Sequence, residues 1–289
     1  MRILLTGKNG QVGWELQRTL AILGDVIALD RNGMDLSNAD SIRQAIRQIK
    51  PNLIVNAAAY TAVDKAESEP GIAMAINGVA PGIMAEEAKR LNAAIIHYST
   101  DYIFDGMKTS PYIETDIPNP VSVYGRTKLA GEQAIAAVDV AHMIFRTSWV
   151  YGLRGKNFLL TMQRLAKERN ELRIVNDQFG APTWCRTIAE ATALAIARLP
   201  APFSEMPKEI YHLTAIGKAS WFEFAVAIMR HSEKSSISSL PTIVPITTHE
   251  YPLPAKRPVN SRLSVEKFTS AFGFQLPPWA HGLALCMDY

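Results

Sequence analysis

The stretch R-I-L-L-T-G-K-N-G-Q-V-G, residues 2–13, decides the fold of this chain. Residues 2–6 are a short apolar run typical of a buried strand, and residues 11–21 have the apolar periodicity of a helix. Three glycines with G-x-x-G-x-x-G spacing separate them: Gly7, Gly10 and Gly13. Glycine lets a backbone turn tightly beside a phosphate, and a helix N-terminus offers free N–H groups to an anion. A tight turn alone would also explain the glycines, but their place between strand and helix favours a dinucleotide site.

The second predicted strand, residues 25–30, ends in an acidic residue, Asp30. Its distance from the glycine loop suits a carboxylate that binds the ribose of a dinucleotide. Such a carboxylate favours NADH, whereas the neighbouring Arg31 could pair with the 2′-phosphate of NADPH, so both cofactors stay open. The predicted cofactor contacts in the loop are Gly7, Asn9, Gly10, Gln11, Val12 and Gly13.

The first half of the chain alternates short apolar runs with longer helical patterns. Further strands are predicted at 53–59, 93–100 and 142–148, and helices at 39–49 and around 72–92. Strands that alternate with helices form βαβ units and a parallel sheet with helices on both faces. The sequence therefore predicts an α/β fold with a Rossmann-type, doubly wound parallel sheet.

The pattern changes after residue 148. Helical segments continue at 157–169, 185–198 and 220–232, but Pro-rich stretches at 199–207 and 251–258 interrupt them. We expect a dinucleotide-binding domain over 1–148. Residues 149–289 are expected to form mainly a smaller, partly interleaved substrate lobe, with some segments returning to the sheet.

Composition excludes several classes of function. The chain has 289 residues, 20% of them charged, with a net charge of +3 and no Lys/Arg tract, which argues against nucleic-acid binding. No apolar run approaches the roughly 18 residues of a membrane span, and the first residues do not read as a signal peptide. The two cysteines, Cys185 and Cys286, are far apart and lack metal-ligand spacing, which predicts no metal site and a cytoplasmic location.

Tyr124 and Lys128 stand four residues apart in a segment that turns helical, V-S-V-Y-G-R-T-K-L. Side chains at this spacing share a helix face, and a nearby ammonium lowers the pKa of a tyrosine. An exposed helix start would give the same spacing. Thr100, however, lies at the carboxyl end of a predicted strand, where open α/β sheets bind ligands. Thr100, Tyr124 and Lys128 with a nicotinamide cofactor make a complete set for carbonyl reduction.

Several segments carry a resemblance to a known family. They include V-N-A-A-A-Y-T-A-V-D-K-A-E, H-Y-S-T-D-Y-I-F-D-G, V-Y-G-R-T-K-L-A-G-E, F-R-T-S-W-V-Y-G, V-N-D-Q-F-G-A-P-T and R-P-V-N-S-R-L. Together with the glycine loop they span residues 7–263. The chain resembles the extended short-chain dehydrogenase/reductase family and, within it, the dTDP-4-dehydrorhamnose reductases.

The resemblance implies reduction of the C4 ketone of dTDP-4-dehydro-β-L-rhamnose by NADH or NADPH. It implies that Tyr124 protonates the alkoxide, that Lys128 lowers the pKa of Tyr124 and holds the nicotinamide ribose, and that Thr100 hydrogen-bonds the carbonyl oxygen. Further residues implied at the cofactor are Asp35, Leu36, Ala59, Tyr60, Thr61 and Tyr98. Those implied at the sugar nucleotide are Asp101 and Trp149.

Other side chains permit two interpretations. Trp149 either packs in the core or stacks on the substrate. The run around 176–183 either makes turns or contributes substrate contacts through Asn176, Gln178 and Thr183. Arg257 is either a solvated loop charge or a partner of the diphosphate. His97 is interpreted as a core or hydrogen-bonded histidine with no catalytic role.

Rival functions lack a necessary group or stay open. A 4,6-dehydratase would carry a glutamate after Asp101, where this chain has Tyr102, and an epimerase-reductase would need a cysteine near Thr100. A regulatory subunit like that of methionine adenosyltransferase, which would bind NADP(H) without turnover, remains the alternative. Some family members are dimers bridged by Mg²⁺; Glu15 matches one such acidic position, but Arg186 replaces another. We expect a monomer or a homodimer, without the metal bridge.

Overall fold

The computed structural model describes residues 1–232 and 240–288 of the chain. The strands are β1 (Arg2–Thr6), β2 (Asp25–Leu29), β3 (Leu53–Asn56), β4 (Ala94–Thr100), β5 (His142–Thr147), β6 (Val150–Tyr151), β7 (Glu171–Val175), β8 (Phe179–Gly180), β9 (Thr183–Trp184), β10 (Glu209–His212), β11 (Ala219–Ser220) and β12 (Thr242–Ile246). The helices are α1 (Gln11–Thr19), α2 (Ala39–Ile49), α3 (Val63–Ala66), α4 (Pro70–Met74), α5 (Ala80–Arg90), α6 (Val123–Ala137), α7 (Phe158–Glu168), α8 (Cys185–Ala197), α9 (Trp221–Ser232), α10 (Glu266–Phe272) and α11 (Trp279–Met287). A π-helical turn, Ala75–Val79, joins α4 to α5.

Six parallel strands form the central sheet in the order β2-β1-β3-β4-β5-β10. The order reverses between β1 and β3, so a crevice opens there at the carboxyl ends of the strands, where α/β sheets bind their ligands. β3 and β4 are buried along their whole length, as expected for strands covered on both faces.

Two apolar cores lie on the two faces of the sheet. One packs Leu5 and Leu16 with Ile188 of α8, and the other packs Leu4 with Ile46 of α2 and residues of α5. Full burial of each such side chain contributes roughly 1.5–3 kcal/mol, so these layers fix the sheet edge that carries the site. The predicted α/β, doubly wound fold class is confirmed.

The second half of the chain builds a smaller layer around its own core, with Tyr151, Leu159, Phe224 and Leu283. It adds three two-stranded sheets, β11-β8, β12-β7 and β6-β9, while β10 leaves it to pair with β5. Across residues 1–232 and 240–288, no helix is both long and apolar enough to cross a membrane.

Most predicted segments agree with the observed ones within a few residues, but the strand predicted at 53–59 ends at Asn56. Its pairing with β1 stops at Thr6 and Asn56. Ala58 and Ala59 then leave the sheet and line the crevice instead.

Candidate active site

The glycine loop is held at van der Waals contact with the end of β3. Gly7 has a φ of +73°, and a Cβ there would lie 2.9 Å from the carbonyl carbon of Ala57. A Cβ on Gly13 would lie 2.1 Å from the oxygen of Gly7. Gly10 is the N-cap residue of α1, and within the described chain no side chain caps that end of the helix. The N–H groups of the first turn are therefore free for an anion such as a pyrophosphate.

A cleft of about 150 Å³ lies beside this loop at the reversal of strand order. The structure brings together six of the predicted cofactor residues in its lining: Gly7, Asp30, Arg31, Asp35, Leu36 and Ala59. Leu29, Met34, Ala58 and Ile76 add an apolar wall that was not predicted, and Thr6 completes the lining.

Asp30 is not a lone carboxylate. Lys8 Nζ lies 3.2 Å from its Oδ2, and Asn9 Nδ2 lies 3.4 Å from the same oxygen. The hydrogen bond with Lys8 lowers the pKa of Asp30 below its ordinary value. Arg31 pairs with Asp35 at 3.5 Å. The acidic end of β2 thus carries two cations, one of which, Lys8, sequence analysis did not single out.

Asn77 holds the opposite wall of the cleft. In the π turn, its Oδ1 accepts from the N–H of Tyr60 at 2.8 Å, while its Nδ2 donates to the Tyr60 carbonyl at 3.0 Å. Nδ2 also lies 3.2 Å from Thr127 Oγ1 on α6. π turns are frequent at functional sites, and this signal was missed because no local sequence pattern marks one. Thr61, the next predicted cofactor residue, is exposed.

Capping fixes the start of α6 and thereby Tyr124. The hydroxyl of Ser122 accepts from the N–H of Gly125 at 3.1 Å, and Glu67 accepts from the N–H of Val123 at 2.8 Å. A Cβ on Gly125 would lie 2.2 Å from the carbonyl oxygen of Tyr102, so the helix approaches the end of β4 as closely as glycine permits. Tyr124 follows as the second residue of the helix.

The pKa of Tyr124 is raised, not lowered. Burial of the phenol raises it to about 12, a hydrogen bond with Thr100 opposes this, and the charge of Asp101 adds to it. Burial is the main cause of this rise, and the expectation that Lys128 lowers the pKa of Tyr124 stays a prediction.

Lys128 is itself buried and bound to the end of β4. It is 2% exposed, and its Nζ lies 2.6 Å from the Tyr98 carbonyl oxygen and 3.1 Å from His97 Nε2. Burial lowers the pKa of Lys128 to about 8. The amine is thus anchored to β4, and it reaches the midpoint of its titration at about pH 8.

Asp101 follows Thr100 at the end of β4, and its side chain is 2% exposed. Thr100 Oγ1 donates to its Oδ1 at 3.0 Å, and Ser148 Oγ donates to its Oδ2 at 2.9 Å. Burial raises the pKa of Asp101 to about 6, although these hydroxyls favour the carboxylate. The structure thus gathers Thr100, Asp101 and Tyr124 at one place.

Tyr98 presents its backbone to the site and its side chain to the core. Its ring packs against Phe145, and its hydroxyl lies 2.6 Å from Thr192 Oγ1 on α8. What it contributes near the cleft is the carbonyl oxygen that accepts from Lys128. The predicted cofactor contact of Tyr98 stays a prediction for the backbone alone.

Trp149 has a φ of +46°, which is rare for a bulky side chain and marks local strain. Its indole stacks on that of Trp221 at 3.5 Å between ring centroids and 3° between planes. Gly180 lies so close that a Cβ there would be 2.4 Å from Trp149 Cε2. Contacts with Trp221 and Gly180 therefore account for much of the position of the Trp149 side chain.

The run around 176–183 is internally bonded. Ser220 Oγ donates to Asn176 Oδ1 at 2.7 Å, and Gln178 Nε2 donates to Thr248 Oγ1 at 3.1 Å. Thr183 is fully buried, with its hydroxyl donating to the Ala181 carbonyl. These side chains support the loop from within in this state.

Arg257 makes a bidentate ion pair with Asp64 in α3, at 3.0 Å and 2.8 Å. This pair fastens the Pro-rich segment to the first half of the chain. The sequence marked Arg257 but not its partner.

Two further predicted residues lie outside the crevice floor. Gln11 Oε1 accepts from Asn157 Nδ2 at 2.8 Å, which ties the first turn of α1 to the second half, and Val12 packs in the apolar cores. Glu15 pairs with Arg186 at 3.3 Å. No cluster of three or more metal-ligating side chains occurs in residues 1–232 and 240–288.

Comparison with known proteins gives one consistent result. The family model described as RmlD substrate binding domain matches residues 1–289. A relative from Burkholderia thailandensis, dTDP-4-dehydrorhamnose reductase, is 50% identical over 292 residues, covering 99% of this chain and 98% of the relative. The namesake from Escherichia coli strain K12 is 48% identical over 98% of this chain and 96% of its own.

Solved structures agree with the sequence matches. A dTDP-4-dehydrorhamnose reductase from Bacillus anthracis in complex with NADP has a TM-score of 0.91 and 34% identity, covering 99% of this chain and 98% of that one. One from Clostridium acetobutylicum has a TM-score of 0.92 and 37% identity over 100% and 99% of the two chains.

Proposed function

This chain belongs to the RmlD substrate binding domain family, and on that basis we propose that it is a dTDP-4-dehydrorhamnose reductase. It reduces the C4 ketone of dTDP-4-dehydro-β-L-rhamnose to the alcohol of dTDP-β-L-rhamnose, with NADH or NADPH as the reductant. The observation that carries the proposal is the meeting of Thr100, Asp101 and Tyr124 at the carboxyl end of β4, beside the glycine-loop crevice.

The residues present fit a nicotinamide dinucleotide. The uncapped N-terminus of α1 and the side-chain-free surface at Gly7 and Gly13 suit a pyrophosphate, and Asp30 suits a ribose hydroxyl. Lys8 and Arg31 flank Asp30 and reduce its repulsion of a 2′-phosphate. Both NADH and NADPH therefore remain acceptable to this site.

The proton of the reduction comes from the chain. A bound cofactor supplies a hydride to C4, and the ketone oxygen then becomes an alkoxide. Tyr124 is the donor: its O–H bond breaks as the O–H bond of the alcohol forms. A high pKa keeps the phenol protonated until the alkoxide, a far stronger base, appears. Donors aimed at a developing oxyanion are a large part of such catalysis, and Thr100 provides one when its hydroxyl turns from Asp101 to the substrate.

The substrate contacts are also part of the proposal. Asp101 and Trp149 contact the sugar nucleotide, with Asn176, Gln178 and Thr183 supporting the loop beside it. Arg257 exchanges Asp64 for the diphosphate, for which its guanidinium has the right bidentate geometry. Residues 1–148 form the dinucleotide-binding domain, and residues 149–289 form mainly the substrate lobe.

The regulatory-subunit alternative is disfavoured. The relatives that match over nearly the whole chain are named reductases. We propose a cytoplasmic location, which the free thiols of Cys185 and Cys286 support, and a monomer or homodimer in solution.

The test is oxidation of NADH and NADPH by the purified protein with dTDP-4-dehydrorhamnose made in situ. Tyr124→Phe removes only the acidic hydroxyl and should lower kcat by about 10²–10⁴-fold while cofactor binding persists. Tyr151→Phe is the matched control, because Tyr151 is buried in the second-half core. Folded wild-type protein that binds NADPH yet turns over no sugar nucleotide would overturn the proposal.

A further inference from the structure

A chain of buried hydrogen bonds leads away from Lys128 across three strands of the sheet. Lys128 Nζ lies 3.1 Å from His97 Nε2, and His97 Nδ1 lies 2.9 Å from Asn56 Nδ2. The chain continues from Thr6 Oγ1 to Asn56 Oδ1 at 2.6 Å and ends at the N–H of Ala58 beside the cofactor crevice. Thr6, Asn56 and His97 are all buried.

The far end of the chain fixes the amide of Asn56. Its Oδ1 accepts from the hydroxyl of Thr6 and lies 3.3 Å from the N–H of Ala58. The Ala58 N–H can only donate, so the amide oxygen of Asn56 faces it, and the Thr6 hydroxyl, which can donate or accept, donates to the same oxygen. The amide NH₂ then faces His97, and it can only donate.

This amide orientation selects the tautomer of His97. Nδ1 has to accept from Asn56, and a neutral imidazole carries one N–H, which therefore resides on Nε2. His97 is neutral because burial, followed by the charge of Lys128, lowers its pKa well below the ordinary value.

The Nε2–H of His97 in turn faces Lys128 Nζ. An ammonium has three hydrogens and no lone pair, so it would meet this N–H as a second donor. An amine accepts from Nε2–H with its lone pair and still donates to the Tyr98 carbonyl at 2.6 Å. The contact therefore disfavours the charged form of Lys128.

We propose that Asn56 and His97 are positioning residues of the reductase: Asn56 holds His97 in the Nε2–H tautomer, and that N–H lowers the proton affinity of Lys128. Burial lowers the pKa of Lys128 to about 8, and the contact with the Nε2–H of His97 acts in the same direction. The inference rests on the proposed function, because Lys128 acts there one helical turn from Tyr124.

Other charges also face Lys128. On its own helix the charge is that of Glu132, which favours the ammonium, and the neutral phenol of Tyr124 lies one turn away in sequence. Glu132 is itself engaged by Arg146 of β5 at 3.0 Å and 2.7 Å, which limits its effect. Asp101, at the end of β4, acts on Tyr124. Of the groups that face Lys128 in the described chain, His97 alone has two neutral tautomers, and Asn56 selects between them.

The consequence for the reaction is a charge that responds to proton transfer. When Tyr124 gives up its proton, a phenolate is left one helical turn from Lys128, and a phenolate favours the ammonium. A buffer acid in the solvent gives the amine a proton and leaves as its conjugate base, so the ammonium offsets the charge of the phenolate.

The direct test uses ¹⁵N-histidine labelling of the full chain, with His97→Gln to assign the His97 signal among the six histidines. We expect Nε2 protonated and Nδ1 unprotonated in wild type. In Asn56→Asp, a carboxylate oxygen replaces the NH₂ and accepts from Nδ1, so we expect the opposite tautomer. Wild-type His97 protonated on Nδ1, or no tautomer change in Asn56→Asp, would overturn the proposal.

The kinetic test is the pH profile of kcat. Activity that needs the Lys128 ammonium falls as the pH rises through its pKa. Asn56→Asp should move this basic limb up by about one pH unit, and a merely structural loss would lower kcat without moving it. The control is Asn52→Asp, which adds the same charge just before the first residue of β3 and keeps an acceptor for the Arg2 N–H. The basic limb of its pH profile should not move.

The two proposals fail separately. Wild type that shows the expected tautomer but no turnover would refute the reductase, not the effect of Asn56 on His97. Turnover with a limb that stays in place in Asn56→Asp would refute the positioning role and leave the reductase intact.

Discussion

Replacing Asp101 with asparagine should stabilise the protein at neutral pH and not at acidic pH. Burial raises the pKa of Asp101 from 3.8 to about 6. A group whose pKa is raised on folding favours the folded state while it is protonated. This contribution is fully present below pH 3.8 and is lost as the pH rises through about 6.

The magnitude follows from the shift. About two pKa units at roughly 1.4 kcal/mol each give a loss of about 3 kcal/mol in the wild type between the two pKa values. Asparagine does not titrate, and the hydroxyls of Thr100 and Ser148 can rotate to accept from its NH₂. The difference in the free energy of unfolding between variant and wild type should therefore grow by about 3 kcal/mol from about pH 3 to about pH 7.5.

The assay is urea unfolding of both proteins over that pH range, with slope and midpoint fitted at each pH. Asp105→Asn is the matched control with the opposite sign. Backbone hydrogen bonding lowers the pKa of Asp105, so its stabilising effect is present at neutral pH and is lost as the pH falls. A difference for Asp101→Asn that does not depend on pH would refute the reasoning. We also expect the kcat of Asp101→Asn to fall, because the hydroxyl of Thr100 loses its carboxylate acceptor.

Two other substitutions test the sheet and the loop. Glu132→Gln leaves the buried Arg146 guanidinium without its carboxylate, and it should lower the free energy of unfolding in urea by about 3–5 kcal/mol. Its control, Glu168→Gln in the exposed pair with Arg164, should cost less than about 1 kcal/mol, and equal costs would contradict the account of the buried pair. Gly13→Ala places a Cβ 2.1 Å from the Gly7 oxygen and should abolish NADPH binding in a fluorescence titration. Its control, Gly71→Ala, has open space around the new Cβ and should leave binding unchanged. If Gly13→Ala still bound NADPH, the predicted pyrophosphate site would be contradicted.

Local patterns predicted the scaffold well. β1, the glycine loop and α1 are contiguous, so their periodicity and spacing are visible in one stretch of sequence. The same holds for Tyr124 and Lys128, which share one helix. β10 was not predicted as a strand, because four residues give little periodicity and its partner, β5, lies far away in sequence.

Long-range pairs account for what was missed. The bonds of Asn56 with His97 and of Arg257 with Asp64 join segments that no spacing rule connects. The raised pKa of Tyr124 depends on how deeply the phenol is buried, which is a property of the packed site. Sequence analysis predicts which groups react, but it could not predict their electrostatic state.

The π turn at Ala75–Val79 has a consequence for comparing sequences. A single-residue insertion into a regular helix leaves such a turn behind. If a relative has a regular helix here, the alignment gap belongs inside the helix near Asn77, not in a flanking loop, where gaps are usually placed. Misplacing it would rotate Ala80–Arg90 by about 100° about the helix axis. A homology-built structure would then point Met84 and Ala88 away from the sheet they cover.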